Sequence, residues 1–284
     1  MNFYDWFFRE IENGEPRAPA GLFSWQHLLA VTLTLGIFLT LAVFLGKKFR
    51  NDPKKQNLVL LIAGISIVVI QISKIAWLLA ETDNVVDCLI GNAPLYFCDI
   101  MIFIIPISAF VRGRAKDICV DFIAICGLLM GFMGNYFAGN LYPSHALISF
   151  SVFNALLNHS ISAFASLFIW VSGMNKMEKK NIPYSIGILF TFMTIALIMN
   201  YINIPINGSP RNFMFFFSGD GTPFTLFHDM VKGNKIAYQA IIYFLQCGYI
   251  GLFYGVYYLV LKLKKKHQEK DESNKLEAQE SETK

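Results

Sequence analysis

Seven stretches of this chain run apolar without the period-two alternation of a strand: residues 24–46, 56–80, 93–111, 118–136, 146–172, 184–201 and 237–261. A helix rises about 1.5 Å per residue, so about 20 apolar residues cross the roughly 30 Å hydrocarbon core of a bilayer. A β-barrel is excluded, because its strands alternate apolar and polar positions. The pattern predicts an all-α membrane protein, a seven-transmembrane helix bundle over residues 22–262. Ahead of it, residues 1–21 set Phe3, Tyr4, Trp6, Phe7 and Phe8 among acidic residues. That predicts a short amphipathic helix in an N-terminal interfacial segment and argues against a signal peptide, which begins with basic residues. Residues 263–284 mix charges of both signs without apolar periodicity, and a disordered cytoplasmic tail is expected there.

Composition sharpens the class. Only 15% of the 284 residues are charged, against roughly a quarter in soluble domains. No Asp, Glu, Lys or Arg occurs from Phe122 to Asn175. A soluble globular enzyme, a secreted disulfide scaffold and a disordered chain are all excluded. The net charge of +4 does not mark a nucleic-acid partner, because the basic residues sit between spans and form no single face. Membrane lipids are the expected partners. The five cysteines have no metal-ligand spacing, and neither a metal nor another cofactor is expected.

The basic residues also orient the bundle. Lys47, Lys48, Arg50, Lys54 and Lys55 follow the first span, Arg112, Arg114 and Lys116 the third, Lys176, Lys179 and Lys180 the fifth, and Lys262, Lys264, Lys265 and Lys266 the seventh. The loops after the second and fourth spans have no Lys or Arg. Basic loops remain cytoplasmic, which places the N-terminus outside and the C-terminus inside a multi-pass protein of the cell membrane.

Polar groups inside a span are costly and mark function by default. Counted from the basic ends at about 1.5 Å per residue, His27, Gln71, Lys74, Cys98, Asp99, Asn158, His159, Asn200 and Gln246 all fall in the half away from the basic loops. Asp121 alone is clearly in the other half. A shared polar cavity opening outward explains this agreement among separate helices. Gln71, Lys74 and Glu81 fall on one helical face, with Asp99 or Glu81 as the expected counter-ion of Lys74. His27, Lys74, Asp99, Asn158, Asn200 and Gln246 are therefore the candidate substrate-binding residues.

Cys98 and His159 are the candidate catalytic residues, since their depths agree within about 5 Å by that count. A thiol within reach of an imidazole is the minimal nucleophile–base pair. Such a pair could take an acyl group from a lipid ester and pass it to an alcohol or to water. The alternative is a transporter or receptor that binds a small polar ligand in the same cavity. The 35-residue segment 202–236, with Phe213, Phe215, Phe216, Phe217, Gly219, Gly221 and Pro223, is too apolar for open water. It is expected to fold back over the outer mouth, either as a lid or as a packing element.

The run Pro94-Leu95-Tyr96-Phe97-Cys98-Asp99 resembles the PLHLC start of the third helix in bacterial YwaF-type integral membrane proteins. Residues 135–145 sit where that family has a short Pro-containing loop. Asn158-His159-Ser160 matches its fifth-helix His, and Asn200-Tyr201 with Pro205 and Pro210 resembles its Asn-Tyr…Pro segment. Tyr96 stands where that family has a His two residues before the Cys. The YwaF family is similar in turn to a eukaryotic transmembrane acyltransferase family acting on ether phospholipids, and more distantly to the androgen-induced lipid hydrolases. The resemblance covers residues 22–262. It implies a phospholipid acyltransferase or lipid ester hydrolase with Cys98 as nucleophile and His159 as base.

Overall fold

The computed structural model describes residues 2–219, 222 and 224–282. In chain order it comprises α1 (Phe3–Phe7), β1 (Ile11–Glu12), β2 (Glu15–Pro16), α2 (Trp25–Lys48), α3 (Pro53–Ala80), α4 (Val85–Gly91), α5 (Ile100–Phe110), α6 (Gly113–Tyr136), α7 (Phe150–Ser172), α8 (Ile182–Asn207), α9 (Thr225–Met230) and α10 (Lys235–Glu282). Six helices, α2, α3, α6, α7, α8 and α10, are long and apolar enough to cross a membrane. Side chains set their starts. Ser24, Asp52 and Ser149 each accept a hydrogen bond from a first-turn backbone N–H, and Pro53 supplies the fixed φ that suits a first helical position.

The third apolar stretch departs from expectation. A helix was expected over 93–111, but α5 has only 11 residues, with a 3-10 turn, Phe97–Asp99, ahead of it. Eleven residues rise about 16 Å, roughly half the hydrocarbon thickness. Pro94 biases Ala93 away from helix, and Asp99 Oδ2 accepts from the Tyr96 backbone N–H at 3.0 Å, so the helix starts late. The N-terminal segment also differs, since only Phe3–Phe7 is helical and a hairpin follows. Asn13 and Gly14 both have positive φ, 55° and 86°, as a type I′ turn requires. At the other end α10 continues to Glu282, so the backbone is helical where an unstructured tail is expected. Lys, Glu, Gln and Ala favour that state, and Lys265 pairs with Glu269 one turn on at 3.7 Å.

The bundle brings the basic loops to one end. Gln56 donates to the Ser172 carbonyl at 3.2 Å, Asn57 to the Ala109 carbonyl at 3.0 Å, and Lys116 donates to Asn57. Lys176 meets Asp117 at 2.8 Å, and Arg114 donates to the Lys180 carbonyl. Tyr258 of α10 donates to the Met177 carbonyl, so α10 leaves the bundle at this end. The N-terminal segment lies at the opposite end. Arg17 donates to the Ile148 carbonyl at 2.8 Å, and Glu10 accepts from His145 Nδ1 at 2.7 Å and from the Ala146 N–H at 2.5 Å.

The α6–α7 contact is the closest in the core. A Cβ on Gly131 would lie 2.4 Å from Ala163 Cβ, and one on Gly127 2.6 Å from the Ser162 carbonyl oxygen. Small residues let the backbones approach where lipid supplies no hydrophobic drive between helices. Ser166 Oγ and Trp170 Nε1 both donate to the Ala124 carbonyl, at 2.8 and 2.9 Å, and tie the same helices. The segment after α8 folds back into the bundle, with Phe213, Met214 and Phe216 fully buried. Gly221 and Pro223 lie outside the described residues.

Candidate functional site

Lys74 is the cation around which the candidate residues gather. It sits partly buried on α3, six residues before the end of that helix. The Asn154 amide of α7 donates to the Ile70 carbonyl of α3 at 2.8 Å and holds these two helices together one turn below it. The charge of Lys74 acts on Cys98, Asp99 and His159. Three helical segments thus contribute to one electrostatic neighbourhood at the end of the bundle away from the basic loops.

Cys98 lies in the turn that leads into α5, partly buried, with its Sγ 4.0 Å from Asp99 Oδ1. The other Asp99 oxygen caps that turn. Cys98 stands two residues ahead of the first residue of α5. Tyr96 stacks edge-on against Phe213, with ring centroids 5.5 Å apart, so the in-folded segment packs directly beside the Cys98 turn. His159 lies on α7 with its ring against Gly134 of α6, where an added Cβ would come within 2.3 Å of Nδ1. His159 Nδ1 is buried without a hydrogen-bond partner. Among the described residues no hydrogen bond joins Cys98 to His159, and Lys74 is the charge they share.

Glu81, the other expected counter-ion for Lys74, is taken elsewhere. Arg9 Nε donates to it at 2.9 Å, and the Tyr4 hydroxyl also donates to it. Asp99 is the carboxylate on which Lys74 acts. The Tyr4 hydroxyl first, and Arg9 second, hold the Glu81 carboxyl below its ordinary range. A lowered carboxylate pKa stabilises the folded contact above the unfolded value and loses that stabilisation as pH falls through the folded one. Acidification through that range is therefore expected to release residues 2–10, read as faster amide hydrogen exchange there. Glu81→Gln should show the faster exchange at neutral pH and little further response to acid.

Of the remaining candidates, His27, Asn200 and Gln246 bond backbone groups. His27 is fully buried, accepts from the Phe23 N–H at Nδ1 (3.0 Å), and bonds the Asn135 carbonyl through Nε2 (3.0 Å). Its ring lies on Tyr142 at 3.8 Å, so both nitrogens and one face are occupied. Asn200 bonds the Phe213 carbonyl at 3.0 Å and the Phe213 N–H at 2.9 Å. Gln246 donates to the Met214 carbonyl at 3.2 Å. Asn200 and Gln246 therefore pin the in-folded segment, and His27 ties α2 to α6, away from Lys74. Asn158 keeps a buried, unpartnered Oδ1 next to His159 in sequence. No group of three or more His, Cys, Asp or Glu suited to a metal ion occurs among the described residues.

An apolar groove of about 360 Å³ opens beside the cluster. It is lined by Gln71, Ile72, Ile75, Ala76 and Leu79 of α3 and by Pro94, four residues ahead of Cys98.

A model of the TMEM164 family matches residues 22–257. The chain belongs to the TMEM164 family. The match spans the whole helical bundle, from ahead of α2 into the membrane part of α10, and leaves out the N-terminal segment and the tail. No curated protein and no solved structure matches the chain. Membership in this membrane-protein family agrees with six apolar helices of spanning length.

Two positioning residues escaped the reading of the chain. Gly134 makes room for the His159 ring, and its relation to Gly127 and Gly131, at helical spacings of seven and three, is a sequence signal for a close helix contact. Asn154 has no such signal, because nothing local distinguishes an amide that bridges two helices from one that caps its own.

Proposed function

We propose that this family member is a lipid-directed acyl-transfer enzyme of the cell membrane, a phospholipid acyltransferase or lipid ester hydrolase. In this reading Cys98 is the nucleophile and His159 the general base. The observation that carries it is that Cys98, its Sγ 4.0 Å from Asp99, sits in a turn beside an apolar groove, while His159 Nδ1 is buried without a hydrogen-bond partner. The groove beside Pro94 offers apolar room for the acyl chain of such a lipid. The half-length α5, with its entry turn, forms a seventh crossing that puts the N-terminus outside and the C-terminus inside. The convergence of the basic loops supports that orientation.

The chemistry follows from these groups. The Cys98 thiol gives its proton to His159 Nδ1 as the sulfur adds to the ester carbonyl carbon. Lys74 binds the lipid phosphate or faces the developing oxyanion. The ester C–O bond breaks, the leaving alkoxide takes the proton from His159, and the acyl group remains on Cys98 as a thioester. An acceptor hydroxyl, of an alcohol or water, then loses its proton to His159, attacks the thioester and restores the thiol. The buried Phe213, Met214 and Phe216 exclude water from above, which favours a lipid alcohol over hydrolysis.

The test is acyl capture. The purified protein, incubated with a phospholipid carrying an alkyne-tagged acyl chain, should yield a tryptic peptide acylated at Cys98. Cys98→Ala, folded by melting temperature, should yield none. Absence of the thioester in the wild type, or labelling that persists in Cys98→Ala, would refute the assignment. Saturable uptake of a polar solute without labelling would favour a transporter.

A further inference from the structure

A second groove lies between α2 and α7, toward the basic end of the bundle. It has a volume of about 500 Å³ and is lined by Leu39, Thr40, Val43, Phe44 and Lys47 of α2 and by Leu167 of α7. Its cause is the way these two helices touch. Phe38 and Phe164 meet edge to face at 6.4 Å, and further along Gly46 comes so close to α7 that an added Cβ would lie 2.8 Å from Val171 Cβ. Between those points Leu39 and Val43 leave a furrow against Leu167. The furrow runs along about two turns of helix and ends at Lys47, in the last turn of α2.

Charge and polarity name its occupant. The loop at this end carries Lys47, Lys48, Arg50, Lys54 and Lys55 against one carboxylate, Asp52, which pairs with Lys55 at 3.1 Å. Lys48 rests on the Phe44 and Phe49 rings, 5.6 Å from each centroid. Among the described residues Lys47 has neither a carboxylate nor a ring. Thr40, on the wall, is also left over. Thr191 and Thr194 of α8 return their hydroxyls to the carbonyls four residues back, at 2.8 and 2.9 Å, whereas Thr40 makes no such bond among the described residues. An unmatched hydroxyl at hydrocarbon depth is costly, and a lipid ester carbonyl can accept from it.

We propose that this groove binds an anionic phospholipid from the leaflet at the basic end. The phosphate is held by Lys47 and an acyl chain lies along Leu39, Val43 and Leu167. Neither a Cys nor a His lines the groove, and Thr40 and Lys47 lie seven residues apart at its two ends, so this lipid is retained and not consumed. A basic pocket between membrane helices recognises headgroup charge in this way. The site is independent of acyl transfer at Cys98 and stands whether or not that reaction occurs.

Native mass spectrometry of the full chain, released from nanodiscs of equal phosphatidylglycerol and phosphatidylcholine with matched acyl chains, tests the proposal. Phosphatidylglycerol should be retained at least tenfold over phosphatidylcholine. Lys47→Gln should remove that preference, Val43→Trp should reduce retention of both lipids by filling the furrow, and Lys48→Gln should leave the preference intact. Lys47→Gln changes an exposed side chain and preserves the fold, so it decides the matter even if Val43→Trp fails to fold. Equal retention of the two lipids, an unchanged preference in Lys47→Gln, or displacement of the lipid by millimolar inorganic phosphate would overturn the proposal.

Discussion

His159→Ala is expected to lower acyl transfer from an ester phospholipid about 10²–10⁴-fold, the usual contribution of a positioned general base. The melting temperature should change little, because His159 Nδ1 has no hydrogen-bond partner to lose. The ring is only partly buried, so its removal leaves a small cavity. Imidazole added to the variant should restore part of the rate, which a purely structural role would not allow. Thioester formation at Cys98 and its breakdown should slow together, since the same nitrogen handles the proton in both steps. A variant with near-normal turnover, or one inactive only because it melts early, would remove His159 from the mechanism.

Asp121→Ala is expected to be the most destabilising single change in the bundle, by roughly 3–5 kcal/mol. The Asp121 carboxylate is fully buried and accepts from the backbone N–H groups of Lys176 and Met177, both at 3.0 Å, and from Asn181 Nδ2 at 2.9 Å. These bonds fix the turn between α7 and α8, where Met177 holds a left-handed φ of 48° while fully buried. Alanine leaves three donors unmatched in a site closed to water. Asp121→Asn keeps the shape and an oxygen for both backbone N–H groups but sets an amide N–H against the Asn181 side-chain amide, so it should lose less stability than alanine. Asp117→Ala removes a surface pair with Lys176 and should cost less than about 1 kcal/mol. Denaturation midpoints in detergent, with tryptic cleavage at Lys179 and Lys180 as a local probe, check the order. Equal midpoints for the Asp121 and Asp117 variants would contradict it.

Much of the fold was legible before any coordinates. The apolar runs located all six long helices, although α8 continues six residues and α10 twenty-one residues past the predicted ends, because crossing a bilayer is a constraint each segment meets alone. The third stretch forms a helix shorter than its apolar run, although its composition is as apolar as its neighbours'. What shortens it is a proline and a carboxylate that caps the turn after it, a local conflict that hydropathy does not weigh. The in-folded segment was legible only as an anomaly of Phe content. That it packs into the core rests on Asn200 and Gln246, two amides that the chain alone suggested for ligand.

The sites divide along the same line. Polar residues announced their depth, because the cost of burying them in hydrocarbon depends only on position along one helix. They did not announce their partners. His27 spends both nitrogens on backbone groups of α2's own entry and of α6, and Glu81 turns to Arg9 in place of Lys74. The amino-acid sequence by itself determined the membrane class, the long helices, the basic end and the half of the bundle that holds the polar groups. Tertiary structure alone decided which of those groups are consumed in packing and which, around Lys74, remain open. Hydrophobic transfer is additive along a single segment, whereas a hydrogen bond between helices depends on rotation and approach that only the assembled bundle sets.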